Sequence, residues 1–214
     1  MSEHGAHGHH HDRGWRAVVR YIRLAPKMWS SSVNDEMVED LGVRRGEAVL
    51  DIGAGMGSGT IAAAKAGARV TAVEPTPFLR GVLRMRRLGQ RARRNIDVRD
   101  GAAEHLPVSD SSVDAAWAVN VMHHWTDVDA AINELHRVLR AGGRVLLVDE
   151  NFDDPEHPEH DRIRAARQRR HLHFDHVDPA VIGDKLTSHG FSVQEATGTR
   201  FGDRPAKVIR ARRS

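Results

Sequence analysis

The chain contains no cysteine, a single tyrosine and only 5% aromatic residues. Without a thiol it can form neither a disulfide nor a zinc–thiolate cluster, and no thiolate can act as a nucleophile. The scarcity of aromatic side chains argues against a surface that stacks the bases of single-stranded nucleic acid. These absences exclude cysteine-dependent enzymes and disfavour single-strand-binding modules.

Long apolar runs are also missing, since no stretch approaches the roughly 18 apolar residues that a membrane-spanning helix needs. The first residues are polar and rich in histidine, where a signal peptide would need an apolar core. We therefore expect a soluble, cytoplasmic protein without a membrane partner. Residues 1–14 cannot build a core, and we expect them to form a disordered histidine-rich tail.

The 214 residues, of which 40% are hydrophobic, are enough for one domain, which we expect to span residues 15–214. The formal net charge is +3, but arginines cluster in residues 80–94, 162–170 and 210–213. Such clusters usually coat solvated helix faces, because the arginine stems cover apolar surface. A nucleic-acid partner that binds these clusters is therefore only a secondary hypothesis.

From residue 48 onward, apolar runs of strand length alternate with segments of helix length. The predicted strands are Ala48–Ile52, Arg69–Val73, Ile96–Val98, Val113–Val119, Arg144–Val148, Phe191–Ala196 and Ala206–Ala211. The predicted helices are Ser58–Lys65, Phe78–Leu88, Asp127–Leu139 and Pro179–His189. This alternation predicts an α/β fold with a doubly wound, mostly parallel sheet and helices on both faces.

Two segments outside this alternation are expected to close a substrate pocket. Residues 15–45 should form a helical cap, with one helix over Trp15–Leu24 and another from Asn34 to Leu41. Residues 151–178 interrupt the alternation with Asp, Pro and His before an arginine-rich stretch, and such inserts usually shape a pocket. The insert also holds five histidines without a fixed set of acidic partners, and we expect no metal site there.

The most informative segment is the turn after the first predicted strand, Asp51-Ile52-Gly53-Ala54-Gly55-Met56-Gly57-Ser58. Glycines permit positive φ and a close ligand approach, and the helix that follows offers free N–H groups. In a doubly wound sheet, the carboxyl end of the first strand is a place where nucleotide-like ligands bind. A tight structural turn needs glycines as well, so the turn alone does not identify a ligand.

Glu74 ends the second predicted strand, 21 residues after Gly53, where a carboxylate can accept both hydroxyl hydrogens of a ribose. NAD has such a ribose too, but the dinucleotide pattern Gly-x-Gly-x-x-Gly is absent because Ser58 stands at the third glycine position. Asp51 would repel a pyrophosphate, and it can instead bond to the turn or reach the ammonium group of an amino acid moiety. A nicotinamide dehydrogenase is therefore the least favoured hypothesis.

With these features the sequence resembles the class I S-adenosylmethionine-dependent methyltransferases, from about residue 33 to residue 150 and more loosely to the end. Residues 51–57 fit the first motif of that family, and Glu74 fits its second-strand acid. Later landmarks are the segments 101–107, 112–114 and 137–144. The resemblance implies a Rossmann-like, seven-stranded sheet whose last strand is antiparallel, with S-adenosyl-L-methionine as the cofactor.

Carried over by position, the resemblance also implies a cofactor site. Its residues are Asp51, Gly53, Gly55, Gly57, Glu74, Ala102, Ala103 and Asn120. Gly53 and Gly55 would line the methionine part, Glu74 would hold the ribose, and the backbone of Ala102 and Ala103 would meet the adenine edge.

The chain departs from the family pattern at one of these positions. Many relatives have an aspartate where Ala102 stands, and that aspartate binds the adenine amino group. The corresponding contact is therefore missing here, or it is made by Asp100, Glu104 or a backbone carbonyl.

His123 and His124 follow the fourth predicted strand and are the candidate catalytic residues. Methyl transfer is an in-line displacement that mainly needs alignment of the reactants, and a base is required only when the acceptor carries a proton. A histidine has a suitable pKa for that task, although packing or adenine contact is the competing interpretation. Trp125 is expected to form a wall of the cofactor pocket.

The sequence narrows the methyl acceptor without identifying it. Asn120 is followed by Val121 and Met122, so the Asn-Pro-Pro motif of amino methylation on adenine or glutamine is absent. The lack of cysteine excludes cytosine-5 and arsenic methylation. We expect a methyltransferase that acts on a small molecule, with an RNA or protein methyltransferase and a non-catalytic cofactor-binding module as alternatives.

Overall fold

The computed structural model describes residues 33–168, 177–201 and 204–214. The expected tail at 1–14, the predicted helix Trp15–Leu24 and residues 169–176 of the insert lie outside the described residues. Within the described ranges, no helix is both long enough and apolar enough to cross a bilayer.

Seven strands of the described residues form one sheet in the order β3-β2-β1-β4-β5-β7-β6. They are β1 (Ala48–Ile52), β2 (Arg69–Val73), β3 (Ile96–Arg99), β4 (Val113–Val119), β5 (Leu139–Glu150), β6 (Phe191–Phe201) and β7 (Arg204–Arg213). Strands β1 to β5 pair in parallel, whereas β7 is antiparallel to both β5 and β6. The prediction of a seven-stranded, mostly parallel sheet with an antiparallel last strand is confirmed.

Helices cover both faces of this sheet. In the described residues they are α1 (Val33–Asp40), α2 (Ser58–Lys65), α3 (Pro77–Leu88), α4 (Val128–Val138), α5 (His160–Gln168) and α6 (Pro179–Ser188), with 3₁₀ turns at Arg93–Asn95 and Met122–His124. α1, α2 and α3 share one apolar cluster with alternate strand residues such as Val49, and α4 and α6 share the opposite cluster with residues such as Leu50. Because successive strand side chains point to opposite faces, apolar strands of this kind fill both clusters.

The boundaries differ from prediction mainly at the far side of the sheet. The predicted helix Asp127–Leu139 is one residue shorter in the structure, because α4 ends at Val138 and β5 begins at Leu139. Gly142 and Gly143 lie inside this strand segment, next to a register shift between β4 and β5. β6 and β7 are each several residues longer than the predicted strands Phe191–Ala196 and Ala206–Ala211. The two strands continue to pair through polar residues, which a search for apolar runs does not include.

Many of the clustered arginines hold the fold together. On α3, Arg86 donates to the Met56 carbonyl at 2.6 Å and Arg87 donates to the Ile96 carbonyl at 2.9 Å. Near the carboxyl terminus, Arg210 binds Asp40 and Glu195. These side chains bind groups of the protein itself, a structural role that goes beyond the expected coating of solvated helix faces.

Candidate functional site

The predicted site residues lie at the carboxyl ends of the parallel strands. β1 lies between β2 and β4, and the chain order of the strands reverses direction there. A crevice forms at such a reversal, because the connections on its two sides lead to opposite faces of the sheet. The glycine-rich turn, Glu74 and Asn120 follow β1, β2 and β4 at this edge.

The glycine-rich turn is anchored to β2 and needs its glycines for two reasons. Gly53, Gly55 and Gly57 have φ values of 68°, 53° and 83°, in the left-handed region that side chains disfavour. A Cβ on Gly53 would lie 2.6 Å from both methyl carbons of Val121, and a Cβ on Gly57 would lie 1.9 Å from Leu83 Cδ1. At Gly53 and Gly57, protein side chains therefore fill the space that the sequence analysis left for a ligand, and only the backbone remains to contact one.

Glu74 braces the turn with its carboxylate. Oε2 accepts the Gly55 N–H and Oε1 accepts the Thr76 N–H, each at 2.8 Å, and the residue is only 4% exposed. Each carboxylate oxygen has two lone pairs, so each retains acceptor capacity for another hydrogen. The geometry is compatible with the predicted ribose contact and adds a structural role that the sequence did not reveal.

Asp51 is buried beneath the turn. Its Oδ2 accepts the Thr60 hydroxyl at 2.5 Å, which ties β1 to the first turn of α2, and the Trp117 indole also hydrogen-bonds the carboxylate. Burial raises the pKa of Asp51 to about 6, with the negative charge of Glu74 as a smaller contribution. Of the two roles suggested by the sequence, these contacts favour bonding within the protein over a reach to an ammonium group.

The predicted adenine edge lies after β3. Ala103 is buried, and the Ala102 carbonyl accepts the His105 N–H at 3.1 Å. Asp100 forms two hydrogen bonds with Arg80, and Glu104 accepts the Thr126 N–H at 2.6 Å. Both carboxylates that were considered as substitutes for the missing aspartate are therefore engaged by protein groups.

Trp125 supplies a buried donor next to this edge. It packs in the same apolar cluster as Ala103 and Leu106, and it is 5% exposed. Among the described residues, its Nε1–H finds no acceptor. A buried donor without a partner is costly, so an acceptor supplied by a ligand would stabilise it. The described groups therefore fit a nucleoside ligand: a carboxylate braced against the glycine-rich turn and an indole donor.

Asn120 follows β4 and has a strained backbone conformation. Its φ is 56°, in the left-handed region that few non-glycine residues occupy. Its Oδ1 accepts the Glu150 N–H at 2.8 Å, and its Nδ2 donates to Glu150 Oε1 at 3.3 Å. Strained residues of this kind concentrate at functional sites, and this one lies at the edge where the cofactor is predicted.

His123 is held by a buried carboxylate at the end of β5. Asp149 is 3% exposed, and its Oδ2 lies 3.0 Å from His123 Nδ1. Asp149 also accepts the N–H groups of Val121 and His123, at 2.9 and 3.1 Å. A carboxylate can only accept, so Nδ1 of His123 carries the proton and Nε2 is the nitrogen that can take one up. His124 lies beside it and is exposed, with the two ring centroids 4.1 Å apart.

Glu150 connects the same strand end to the insert. His157 accepts the Glu159 N–H at Nδ1 and donates from Nε2 to Glu150 Oε2 at 2.9 Å, and its side chain is fully buried. Arg204 reaches the same Oε2 at 3.1 Å. The His157 bond fastens the described part of the insert to β5, and the Asn151 N–H, which donates to the Pro205 carbonyl at 2.9 Å, fastens it to β7. In those parts of the chain that the structure describes, no three metal-ligating side chains gather into a cluster.

Asp149, Glu150 and Arg80 are site residues that the sequence did not predict. The two acids come directly after the apolar run of β5, and the rule that carboxyl ends of parallel strands share one edge would have drawn attention to them. Arg80 donates from Nη1 to the Glu74 and Pro75 carbonyls, at 2.7 and 3.0 Å, besides binding Asp100. No local sequence signal separates it from the exposed arginines nearby.

Residues 50–147 match the family model of the methyltransferase domain. An uncharacterized 37.1 kDa protein in a transposon of Streptomyces fradiae is 31% identical over 78% of this chain and 49% of its own length. The methyltransferase GfsG of Streptomyces halstedii is 37% identical over 55% of this chain and 42% of its own length. A ubiquinone/menaquinone biosynthesis C-methyltransferase of Rubrivivax gelatinosus is 35% identical over 49% of this chain and 39% of its own length. The chain spans less than half the length of each of these relatives.

Solved structures share the fold at low sequence identity. An S-adenosylmethionine-dependent methyltransferase from Aquifex aeolicus superposes with a TM-score of 0.65 at 17% identity, covering 85% of this chain and 89% of that chain. The geranyl diphosphate C-methyltransferase from Streptomyces coelicolor, crystallised with S-adenosyl-L-homocysteine, superposes with a TM-score of 0.66 at 15% identity. The match covers 86% of this chain and 78% of that chain. These matches, together with the strand order and the glycine-rich turn, support a class I S-adenosylmethionine-dependent methyltransferase domain over residues 50–147.

Proposed function

We propose that the chain transfers the methyl group of S-adenosyl-L-methionine to a small-molecule acceptor whose reacting atom carries a proton. The observation that carries the proposal is the His123 imidazole, oriented by buried Asp149 at the edge where the glycine-rich turn and Glu74 meet. An acceptor that is already a free nucleophile needs no base, whereas a hydroxyl or a similar acidic group does.

Within this proposal, the cofactor lies across the ends of β1, β2 and β3. Glu74 accepts the ribose hydroxyls, Gly53 and Gly55 present backbone to the methionine part, and Ala102 and Ala103 border the adenine. Bound there, S-adenosyl-L-methionine supplies a methyl group on a sulfonium. Asp51 and Gly57 support the turn from below through Thr60 and Leu83.

His123 takes the proton of the acceptor at Nε2. The Asp149 carboxylate fixes the tautomer and stabilises the imidazolium that forms, much as second-shell carboxylates do at other histidine sites. Asp149 also binds the Val121 N–H, and Val121 contacts Gly53. One carboxylate therefore positions both the base and the side chain that packs on the cofactor turn.

Two kinds of relative support a small acceptor. One is named as a quinone-biosynthesis C-methyltransferase and another as a geranyl diphosphate C-methyltransferase, and both names refer to small molecules. We propose that the described part of residues 151–178 borders the corresponding pocket here. The bond from His157 to Glu150 holds the described part of this segment at the carboxyl edge.

The proposal is tested with S-adenosylmethionine that carries a labelled methyl group and with pooled acceptors: phenols and enols, alcohols, amines, thiols, and total RNA and protein. We expect label in a small molecule with an acidic proton, loss of transfer in His123→Ala, and much less effect of His124→Ala. Label in RNA or protein would contradict the proposal. Binding of S-adenosyl-L-homocysteine without transfer to any class would instead indicate a non-catalytic module.

A further inference from the structure

The edge of the sheet opposite the crevice carries a group of exposed cations, here called the basic edge: Arg45, Lys65, Arg69, Arg91, Arg93 and Arg94. In the described parts of the chain, none of these six side chains forms a hydrogen bond or an ion pair. They differ in this from the structural arginines of α3. Six unpaired charges of one sign create a positive potential that favours an anionic partner.

The basic edge is contiguous. Arg45 packs on the turn before β2, since its Cγ lies 2.9 Å from where a Cβ on Gly67 would be. Lys65 and Arg91 line the same pocket of about 410 Å³, which α2 and the segment after α3 enclose. The pairing of Val70 with Ile96 sets Arg69, at the start of β2, beside the 3₁₀ turn that holds Arg93 and Arg94.

Nearby acids do not neutralise this edge. Glu47, in the segment that follows Arg45, binds Arg144 at 2.6 Å. Asp97, which follows the 3₁₀ turn, binds Arg99 at 2.8 Å. Both carboxylates already have an arginine partner, so the six cations keep their net charge.

Exposed apolar side chains lie next to the cations. Met85 and Leu88 are 70% and 61% exposed, three residues apart on the outer face of α3. The chain continues from Leu88 directly into the segment that carries Arg91. In the described residues only one other large apolar side chain, Val181, is comparably exposed. Aliphatic side chains beside a basic surface are typical of proteins that bind the interface of an anionic membrane.

We propose that the basic edge, with Met85 and Leu88, docks the protein on an anionic lipid membrane. The cations bind the headgroups, while the two apolar side chains enter the boundary between headgroups and acyl chains. The named residues include no aromatic side chain on which a nucleic-acid base would stack, which favours lipid over RNA. Surface docking needs no spanning helix, so it amends the expectation of no membrane partner, which rested on the absence of an apolar run.

Docking in this way has a consequence for the site. The basic edge lies at the amino ends of the strands and the crevice at their carboxyl ends. A docked molecule therefore keeps its crevice open to water, and the acceptor reaches it from the aqueous phase. The proposal is independent of methyl transfer and can fail while that function holds.

The test is co-sedimentation of the full chain with vesicles of phosphatidylcholine, alone or mixed with phosphatidylglycerol. We expect binding only to the anionic vesicles, weakened by added salt. Arg93→Glu/Arg94→Glu should weaken binding at least about 25-fold, since each cation near such a surface contributes about fivefold. Met85→Ser/Leu88→Ser should weaken it roughly tenfold at unchanged charge.

The matched control is Arg162→Glu/Arg164→Glu, which makes the same change in net charge at exposed positions on α5, outside the basic edge. It should retain most of the vesicle binding, and all variants should still bind S-adenosyl-L-homocysteine if they are folded. The proposal is overturned if the wild-type chain ignores anionic vesicles at low salt, or if control and edge variants lose binding equally. It is also overturned if single-stranded RNA binds the edge more tightly and displaces the vesicles.

Discussion

Replacing Asp51 by Asn tests whether this carboxylate is a buried structural group, as its contacts indicate. Burial raises its pKa from 3.8 to about 6. The folded protein therefore holds this proton more tightly than the unfolded chain does. The resulting stability is fully present below pH 3.8 and is lost as pH rises through about 6. The whole shift corresponds to about 3 kcal/mol.

Asparagine cannot take up this proton, so the variant lacks the pH-dependent part of the stability. Between about pH 7 and about pH 5, the free energy of unfolding of the wild type should rise relative to Asp51→Asn by about 1 kcal/mol. Urea unfolding at both pH values, followed by circular dichroism, measures this change. Asp184→Asn, at an exposed position on α6, is the control. Parallel pH dependence of wild type and Asp51→Asn would refute the reasoning.

Two further predictions concern the turn and the base. Gly57→Ala should lower the free energy of unfolding by about 3 kcal/mol, because alanine at this position has a strained φ and clashes with Leu83. Gly42 has a φ of 60° but open space around it, so Gly42→Ala should lower the free energy of unfolding by only about 1 kcal/mol. Thermal unfolding of the two variants measures the difference. Asp149→Asn should lower kcat on an identified acceptor about 100-fold with a smaller change in KM. In the same variant, NMR of the imidazole nitrogens should no longer show His123 fixed as the Nδ1–H tautomer; an unchanged tautomer would contradict the positioning role.

The sequence predicted the parts of the fold that local patterns determine. Apolar runs and the glycines that bound them predicted the first and last residues of β1, β2, β4 and α2 correctly. Buried parallel strands are apolar throughout, and the turns between elements need residues with positive φ. The end of α4 and the length of β6 were missed. There the boundary depends on pairing with another strand, which a helical or apolar pattern does not record.

The candidate site was predictable where one segment carries the information. The glycine-rich turn and Glu74 lie within one strand-helix-strand unit, and the structure brings them into contact. The pairing of His123 with Asp149 joins residues 26 positions apart through the register of β4 and β5. This contact with Asp149 identifies His123 rather than His124 as the candidate base. The sequence alone shows two adjacent histidines and does not indicate which one contacts the carboxylate.

We expect the carboxyl edge of the sheet to bind the nucleoside of S-adenosylmethionine through Glu74. Calorimetric titration with S-adenosyl-L-homocysteine tests it directly, on the wild type, Glu74→Ala and the exposed control Glu39→Ala, with thermal unfolding to verify that each variant is folded. We expect one site per chain and an affinity about 100-fold weaker in Glu74→Ala, because two hydrogen bonds to a charged acceptor are lost. A folded Glu74→Ala that binds as tightly as the wild type, or a wild type that does not bind at all, would contradict it.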